Sequence, residues 1–129
     1  MKFIDTHMHL DSERYEGEIN LIVERAEKAG AKFIISSGIN PPSNRKVLEL
    51  SKKYNLVKCS FGLYPVDSIL NKIKHLELDI PRYVEEFDPD KELEWIEENK
   101  DFCVAIGEIG LDYKIIPGTE DLQKEVFIK

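Results

Sequence analysis

The sequence has no long apolar run and few cysteines, and its first residues do not predict a secretory leader. No apolar stretch approaches the roughly 20 residues of a membrane-spanning helix, and the acidic Asp5 excludes a secretory signal at the start. The two cysteines, Cys59 and Cys103, both lie in apolar runs, which predicts buried thiols rather than a disulfide. We therefore expect a cytoplasmic protein with no membrane partner.

The sequence also lacks an excess of basic residues. Its 18 lysine and arginine residues are outnumbered by 25 aspartate and glutamate residues, and the net charge is −7. A protein that binds long nucleic acid through its phosphates normally carries a basic stripe, and none is visible in this sequence. If the substrate is a nucleic acid, a metal ion must do much of the phosphate binding, and the protein contacts must be few.

What is present is the composition of one globular domain, with 129 residues of which 42% are hydrophobic and 33% charged. Apolar segments typical of strands alternate with amphipathic segments typical of helices. The predicted strands cover residues 2–6, 31–37, 56–62 and 102–109. Because these strands are apolar almost throughout, the pattern predicts an α/β fold in which helices cover a parallel sheet of four β–α units.

Capping residues mark the first two predicted helices. Asp11 or Ser12 predicts the start of the first helix, and Gly30 predicts its end. Ser43 follows two prolines and predicts the start of the second helix, which runs to about Tyr54.

The last two predicted helices differ in how they end. The third covers residues 90–100, and its block of charge indicates a solvated face. The fourth begins at Thr119, and we expect three of its side chains to point inward: Leu122, Val126 and Phe127. This helix stops at the end of the sequence without a glycine, a proline or a cap, which suggests a chain cut from a longer one.

Candidate site residues follow three of the predicted strands. His7 and His9 lie two apart at the end of the first strand, so both imidazoles face the same side and can bind one metal ion. Tyr64 follows the third strand, and Glu108 lies between glycines at the end of the fourth. The carboxyl ends of parallel strands meet at one rim, so the sequence predicts a metal site there. Without a metal, His7 and His9 would be two histidines at a polar strand end, and Glu108 would be a carboxylate bonded to nearby backbone amides.

Two segments resemble the N-terminal signatures of the TatD-type metal-dependent deoxyribonucleases, a family of amidohydrolase-like TIM barrels. They are residues 5–11 (DTHMHLD) and residues 106–113 (IGEIGLDY). Gln123 and Phe127 also match the family pattern in the helix after the fourth strand. The likeness runs through the whole chain in order, and the second segment is highly specific.

The resemblance implies a role for each candidate residue. His7 and His9 would bind one metal of a two-metal centre, and Glu108 would bridge both ions and act in catalysis. Asp112 would position a ligand or water, with a loop-capping aspartate as the alternative. Tyr64 stands where the family usually has a histidine and would face the substrate, a DNA end or short nucleic acid. Histidine and carboxylate ligands leave zinc, magnesium and manganese open.

The resemblance also implies that residues 1–129 are the N-terminal half of a TIM (β/α)8 barrel, because family members are about twice as long. The remaining metal ligands would come from later strands, and His75, in an irregular acidic stretch, is expected to be solvated and not to replace them. The missing half would belong to a longer protein or split gene, to a separate chain, or to a second copy in a homodimer. We expect the chain alone to be weakly active or inactive.

Two other functions stay open at this point. One is a different metallohydrolase of the amidohydrolase superfamily, acting on cyclic amides or phosphate monoesters. The other is a non-catalytic half-barrel that serves as an assembly module, which the missing ligands and Tyr64 favour and the intact His7, His9 and Glu108 disfavour.

Overall fold

The fold is a four-stranded parallel sheet in the order β1-β2-β3-β4, seen in a computed structural model that describes residues 1–73 and 84–129. The strands are β1 (Phe3–Met8), β2 (Ala31–Ser37), β3 (Val57–Phe61) and β4 (Ala105–Ile106). The α-helices are α1 (Ile19–Ala29), α2 (Pro41–Lys53), α3 (Pro89–Asn99) and α4 (Glu120–Phe127). Short 3-10 turns cover Glu13–Tyr15, Asp67–Lys72 and Lys100–Phe102. The predicted α/β class and the predicted parallel sheet of four strands are confirmed.

Apolar side chains of the strands and helices form two packed clusters. One lies among β1, β2, β3, α1 and α2, and its buried members are Leu10, Val23, Ile34, Leu50 and Val57. The other joins β3 and α2 to α3, α4 and the Asp67–Lys72 turn, with Phe61 and Ile69 fully buried. Burial of this apolar surface holds the helices against the sheet and contributes about 25 cal/mol per Å² of apolar area buried.

The predicted starts of the first two helices are wrong. The first helix begins at Ile19 rather than after Asp11 or Ser12, because residues 13–15 form a 3-10 turn first. Its predicted end is correct, since Gly30 adopts the left-handed conformation at the C-terminus with φ of 100°. The second helix is capped by Asn40, whose side chain accepts a hydrogen bond from the backbone N–H of Ser43.

The fourth strand is much shorter than predicted, Ala105–Ile106 instead of residues 102–109. Before it, Lys100–Phe102 forms a 3-10 turn. After it, the N–H of Gly107 still donates to Phe61 of β3, but the N–H of Glu108 donates to the carbonyl of Gly38 at 3.1 Å. The chain therefore leaves the ladder with β3 at Glu108 and turns toward the end of β2.

The two outer strands leave apolar side chains uncovered. Exposure reaches 46% at Ile4 on β1 and 51% at Ile106 on β4.

On α4, Phe127, predicted to point inward, is 50% exposed, whereas Val126 is buried and Leu122 packs on the core. The inward stripe of α4 is thus correct at two of three positions.

Both cysteines are free thiols among the described residues, as the apolar surroundings predicted. Cys59 is fully buried, and this burial raises the pKa of its thiol. Cys103 is only half-buried, because the strand predicted around it is a turn.

No helix among residues 1–73 and 84–129 is long and apolar enough to cross a membrane. His75 lies outside the described residues.

Candidate metal centre

His7 and His9 lie at the carboxyl end of β1 with their rings 4.9 Å apart, centroid to centroid, and nearly perpendicular at 87°. The Nδ1 atom of His9 is 2.9 Å from the backbone carbonyl oxygen of Ser37 at the end of β2. A carbonyl only accepts hydrogen bonds, so Nδ1 carries the proton and the lone pair of His9 resides on Nε2. The neighbouring strand thus sets the tautomer that a metal ligand requires.

The carboxylate of Glu108 completes a cluster with the two histidines. Its Oε2 atom lies 3.3 Å from Nε2 of His9 and 3.8 Å from Nε2 of His7. One ligand atom from each of the three residues lies within 4.8 Å of the others. Of the three predicted metal ligands, the fold therefore brings all together at one rim, although β1 and β4 are the two outer strands of the sheet.

Two glycines allow the backbone of Glu108 to sit where it does. A Cβ atom on Gly62 would overlap the backbone nitrogen and oxygen of Glu108, so only glycine permits the end of β3 to approach this closely. Gly38 accepts the hydrogen bond from the N–H of Glu108. The hydroxyl of Ser60 donates to the carbonyl of Gly107 at 2.6 Å and holds the preceding residue.

A buried asparagine, Asn44 on α2, holds Gly62 by hydrogen bonds and packs closely against Gly38. Its side-chain amide donates to the carbonyl of Gly62 and accepts from the N–H of Gly62, each at 3.0 Å. A Cβ atom on Gly38 would overlap its Oδ1. The same amide donates at 2.7 Å to Glu92, which also bonds Arg45. The carboxylate of Glu92 is thereby paired although it is 2% exposed.

Asn44 and Glu92 were not predicted from the sequence as residues that support the site. Glu92 lies within the acidic block at residues 90–100 that predicted a solvated face, and for Glu92 this prediction is wrong. The reason is that Asn44 and Arg45 come from α2, so their pairing with α3 depends on tertiary packing. No local pattern marks them.

Tyr64 and Asp112 form a second polar group beside the cluster. The hydroxyl of Tyr64 donates to Oδ2 of Asp112 at 2.5 Å. This bond, followed by the N–H of Ile115, holds the pKa of the Asp112 carboxyl below its ordinary value. The Oδ1 atom of Asp112 accepts from the N–H groups of Lys114 and Ile115, which is the geometry of a loop cap.

Gln123 on α4 holds the backbone of Asp112. Its side-chain oxygen accepts from the N–H of Asp112, and its side-chain nitrogen donates to the carbonyl of Asp112, both at 2.7 Å. Gln123 is 1% exposed. The loop after β4 is therefore fixed to the helix that follows it.

The candidate residues border an open cleft of about 920 Å³. His7, His9, Glu108 and Tyr64 line it together. A smaller adjoining recess of about 360 Å³ is lined by Tyr64, Glu108 and Asp112, among others. The cleft thus has room for a substrate several atoms wide next to the three candidate ligands.

The donor set fits a divalent metal. Two imidazole nitrogens and one carboxylate oxygen converge, and the hydrogen bond to Ser37 leaves Nε2 of His9 directed at Glu108. Nitrogen and oxygen donors of this kind suit zinc and manganese, and the carboxylate also suits magnesium. Three protein ligands leave coordination positions open for water or substrate.

Comparison with known proteins identifies the family. The sequence profile of the TatD related DNase family matches residues 4–129. The chain belongs to this family. Among its relatives, YabD of Bacillus subtilis, an uncharacterized metal-dependent hydrolase, is 32% identical over 125 residues, which are 95% of this chain and 42% of YabD. The human deoxyribonuclease TATDN3 is 31% identical over 111 residues, 85% of this chain and 38% of TATDN3.

Solved structures of the same family share the fold. The crystal structure of YjjV from Escherichia coli superposes with a TM-score of 0.72 at 25% identity, covering 98% of this chain and 44% of YjjV. A hydrolase TatD family protein from Entamoeba histolytica has the same TM-score at 26% identity, covering 98% of this chain and 43% of its own. The chain therefore spans less than half of these proteins, and its four parallel strands form a half-barrel.

Proposed function

We propose that this chain supplies part of the active site of a divalent-metal-dependent deoxyribonuclease, which hydrolyses phosphodiester bonds at a DNA end or in a short nucleic acid. The observation that supports it most directly is the convergence of His7, His9 and Glu108 within 4.8 Å at the rim of the sheet. The relatives' names, metal-dependent hydrolase and deoxyribonuclease, support the class of reaction. These names favour phosphodiesters over cyclic amides as the substrate class. Measuring hydrolysis of both substrate types tests this.

In this proposal His7 and His9 would hold a divalent ion through their Nε2 atoms, and Glu108 would be a ligand shared with a second ion. Two bound divalent ions supply activation of water and neutralisation of charge on the attacked phosphate. Zinc, magnesium and manganese are the candidates. The fold orients these ligands, because the carbonyl of Ser37 holds the His9 ring and the carbonyl of Gly38 holds the backbone of Glu108.

Tyr64 is proposed to face the substrate and Asp112 to position it. Tyr64 lines both the cleft and the adjoining recess, and its hydroxyl proton is directed at Asp112. Asp112, with its lowered pKa, is ionised at neutral pH and keeps the Tyr64 ring in place. Asp112 thus acts through Tyr64 and through the loop that it caps.

We propose that residues 1–129 are the first half of a barrel and that the other half comes from the rest of a longer polypeptide, a separate chain or a second copy. The coverage of 42% to 44% of YabD and YjjV supports this. So do the uncovered apolar side chains of the edge strands, such as Ile4 and Ile106. We also propose a cytoplasmic location, which the two free thiols support and cell fractionation tests.

The proposal is tested by titrating the purified chain with MnCl2 or ZnCl2 in a calorimeter. Glu108→Gln and His9→Ala should each weaken binding by about tenfold or more. Glu94→Gln, an exposed carboxylate on α3, is the matched control and should bind as the unmodified chain does. Nuclease activity of the chain alone should be low, because the residues that the structure describes bring only three ligands together. Metal binding that is indifferent to Glu108 and His9 would favour a non-catalytic assembly module.

A further inference from the structure

Among the described aspartate, glutamate, lysine and arginine residues that line the cleft at the metal centre, all but one are acidic. Its acidic lining residues are Asp11, Glu13, Asp67 and Glu108. Arg14 is the one lysine or arginine among the described residues that line it. A substrate phosphate in this cleft, away from the metal ions, therefore meets one lysine or arginine among the described side chains.

Arg14 is not committed to a carboxylate. Within residues 1–73 and 84–129 it forms no ion pair. Its Cζ atom lies over the Tyr15 ring, 5.8 Å from the ring centre. Arg45 offers a contrast, because it is paired with Glu92 and stacked 3.6 Å from the Trp95 ring. The guanidinium of Arg14 is exposed and remains available for a ligand anion.

The segment that carries Arg14 is attached to the metal centre. The N–H of Ser12 donates to the carbonyl of His9 at 3.1 Å, and the N–H of Tyr15 donates to the carbonyl of Ser12 at 3.0 Å. These bonds fold residues 13–15 into a 3-10 turn at the edge of the cleft. The ring of Tyr15 is half-buried there and also lines the cleft.

We propose that Arg14 and Tyr15 form a nucleotide subsite beside the metal centre, a refinement that rests on the proposed function. The guanidinium binds a backbone phosphate next to the one that is hydrolysed, since its planar fork matches phosphate oxygens. The Tyr15 ring packs against the sugar or base of the same nucleotide. Such a subsite explains how a chain with a net charge of −7 holds a polyanion with few contacts.

The test is binding of a fluorescein-labelled tetrathymidylate with phosphorothioate linkages, followed by anisotropy in Mg²⁺ from 50 to 200 mM NaCl. Arg14→Ala should raise the Kd about tenfold at low salt, because a charged hydrogen bond is lost. It should also reduce the slope of log Kd against log salt by about 0.7, the value for one single-strand phosphate contact. Arg14→Lys keeps the charge and should lose much less affinity. Tyr15→Leu should weaken binding about tenfold without changing the slope.

Arg25→Ala is the matched control, because Arg25 is exposed on α1 outside the cleft and the substitution changes the net charge equally. Equal losses in Arg14→Ala and Arg25→Ala would reduce the effect to overall charge and overturn the subsite. Unchanged binding in Arg14→Ala, or no binding by the unmodified chain, would overturn it as well.

The metal titration separates this proposal from the proposed function. If Glu108→Gln loses metal but Arg14→Ala binds the oligonucleotide normally, the metal centre stands and the subsite fails. If oligonucleotide binding depends on Arg14 but metal binding is indifferent to Glu108 and His9, the anion subsite stands and the proposed hydrolase site fails.

Discussion

The Nδ1 atom of His9 lies 2.9 Å from the carbonyl oxygen of Ser37, so the end of β2 orients a side chain at the end of β1. A backbone carbonyl is a fixed acceptor that no side-chain substitution removes. In the neutral ring the bond therefore leaves the lone pair on Nε2 of His9, which is directed toward Glu108, 3.3 Å away. A metal ligand is prepared by the pairing of two neighbouring strands.

The first prediction concerns this tautomer. Where the His9 ring of the metal-free chain is neutral, nitrogen-15 NMR should show its proton on Nδ1 and the signal of an unprotonated ring nitrogen at Nε2. Addition of ZnCl2 should shift the Nε2 signal far more than the Nδ1 signal. A ring protonated at Nε2 in the neutral state would contradict the role assigned to the Ser37 carbonyl.

The second prediction concerns the pKa of Asp112. Tyr64→Phe removes the largest cause of its lowering, so the pKa of Asp112 should rise toward the ordinary value of 3.8. The rise should be incomplete, because the N–H groups of Lys114 and Ile115 still bond the carboxylate. A carbon-13 titration of the Asp112 carboxyl measures it, and Tyr54→Phe, whose hydroxyl bonds Asn20 instead, is the control.

The same bond has a pH-dependent effect on stability. A carboxyl whose pKa is lowered by folding stabilises the protein above its unfolded pKa and loses that contribution as pH falls through the folded pKa. The difference in unfolding free energy between the unmodified chain and Tyr64→Phe should therefore be largest near neutral pH and shrink below about pH 4. A constant difference from pH 7 to pH 2 would show that the Asp112 charge is not involved.

The third prediction concerns Asn44. Asn44→Ala leaves the N–H and carbonyl of Gly62 without their side-chain partners and removes one hydrogen bond from the buried carboxylate of Glu92. We expect a loss of about 2–4 kcal/mol in the free energy of unfolding, measured with urea. Asn55→Ala, at an exposed position, should change it by no more than about 0.5 kcal/mol. Equal stability of the two variants would contradict the network.

The fourth prediction separates metal affinity from stability. Gly62→Ala places a Cβ atom against the backbone of Glu108, so the carboxylate should shift and metal affinity should fall about tenfold or more. Gly118→Ala is strained by its φ of +85° but meets no atom within 4 Å, so it should cost about 1 kcal/mol and leave metal affinity unchanged. Calorimetric titration of both variants measures the contrast, and unaltered affinity in Gly62→Ala would argue against this support of Glu108.

Much of the fold could be predicted from local patterns. Residues 31–37 form a strand at the predicted bounds, because an apolar run between a glycine and a serine-glycine turn has few alternatives. The start of α2 could not be placed, since Ser43 has the same local capping chemistry as Asn40. The hydroxyl of Ser43 instead donates at 2.5 Å to Asp11, which is 32 residues away. The start of α1 could not be placed either, because its N-cap residue, Glu18, makes no side-chain capping bond.

By itself the sequence determined the family, the alternation of strands and helices, and the identity of the three candidate ligands. Only the tertiary structure decided how they are held: the tautomer of His9, the approach of Gly62 to Glu108, and the burial of Glu92 against Asn44. The physical reason is range. Strand periodicity and residue chemistry act within a few positions, whereas these contacts join residues 28 to 48 positions apart, whose meeting depends on the packing of the whole sheet.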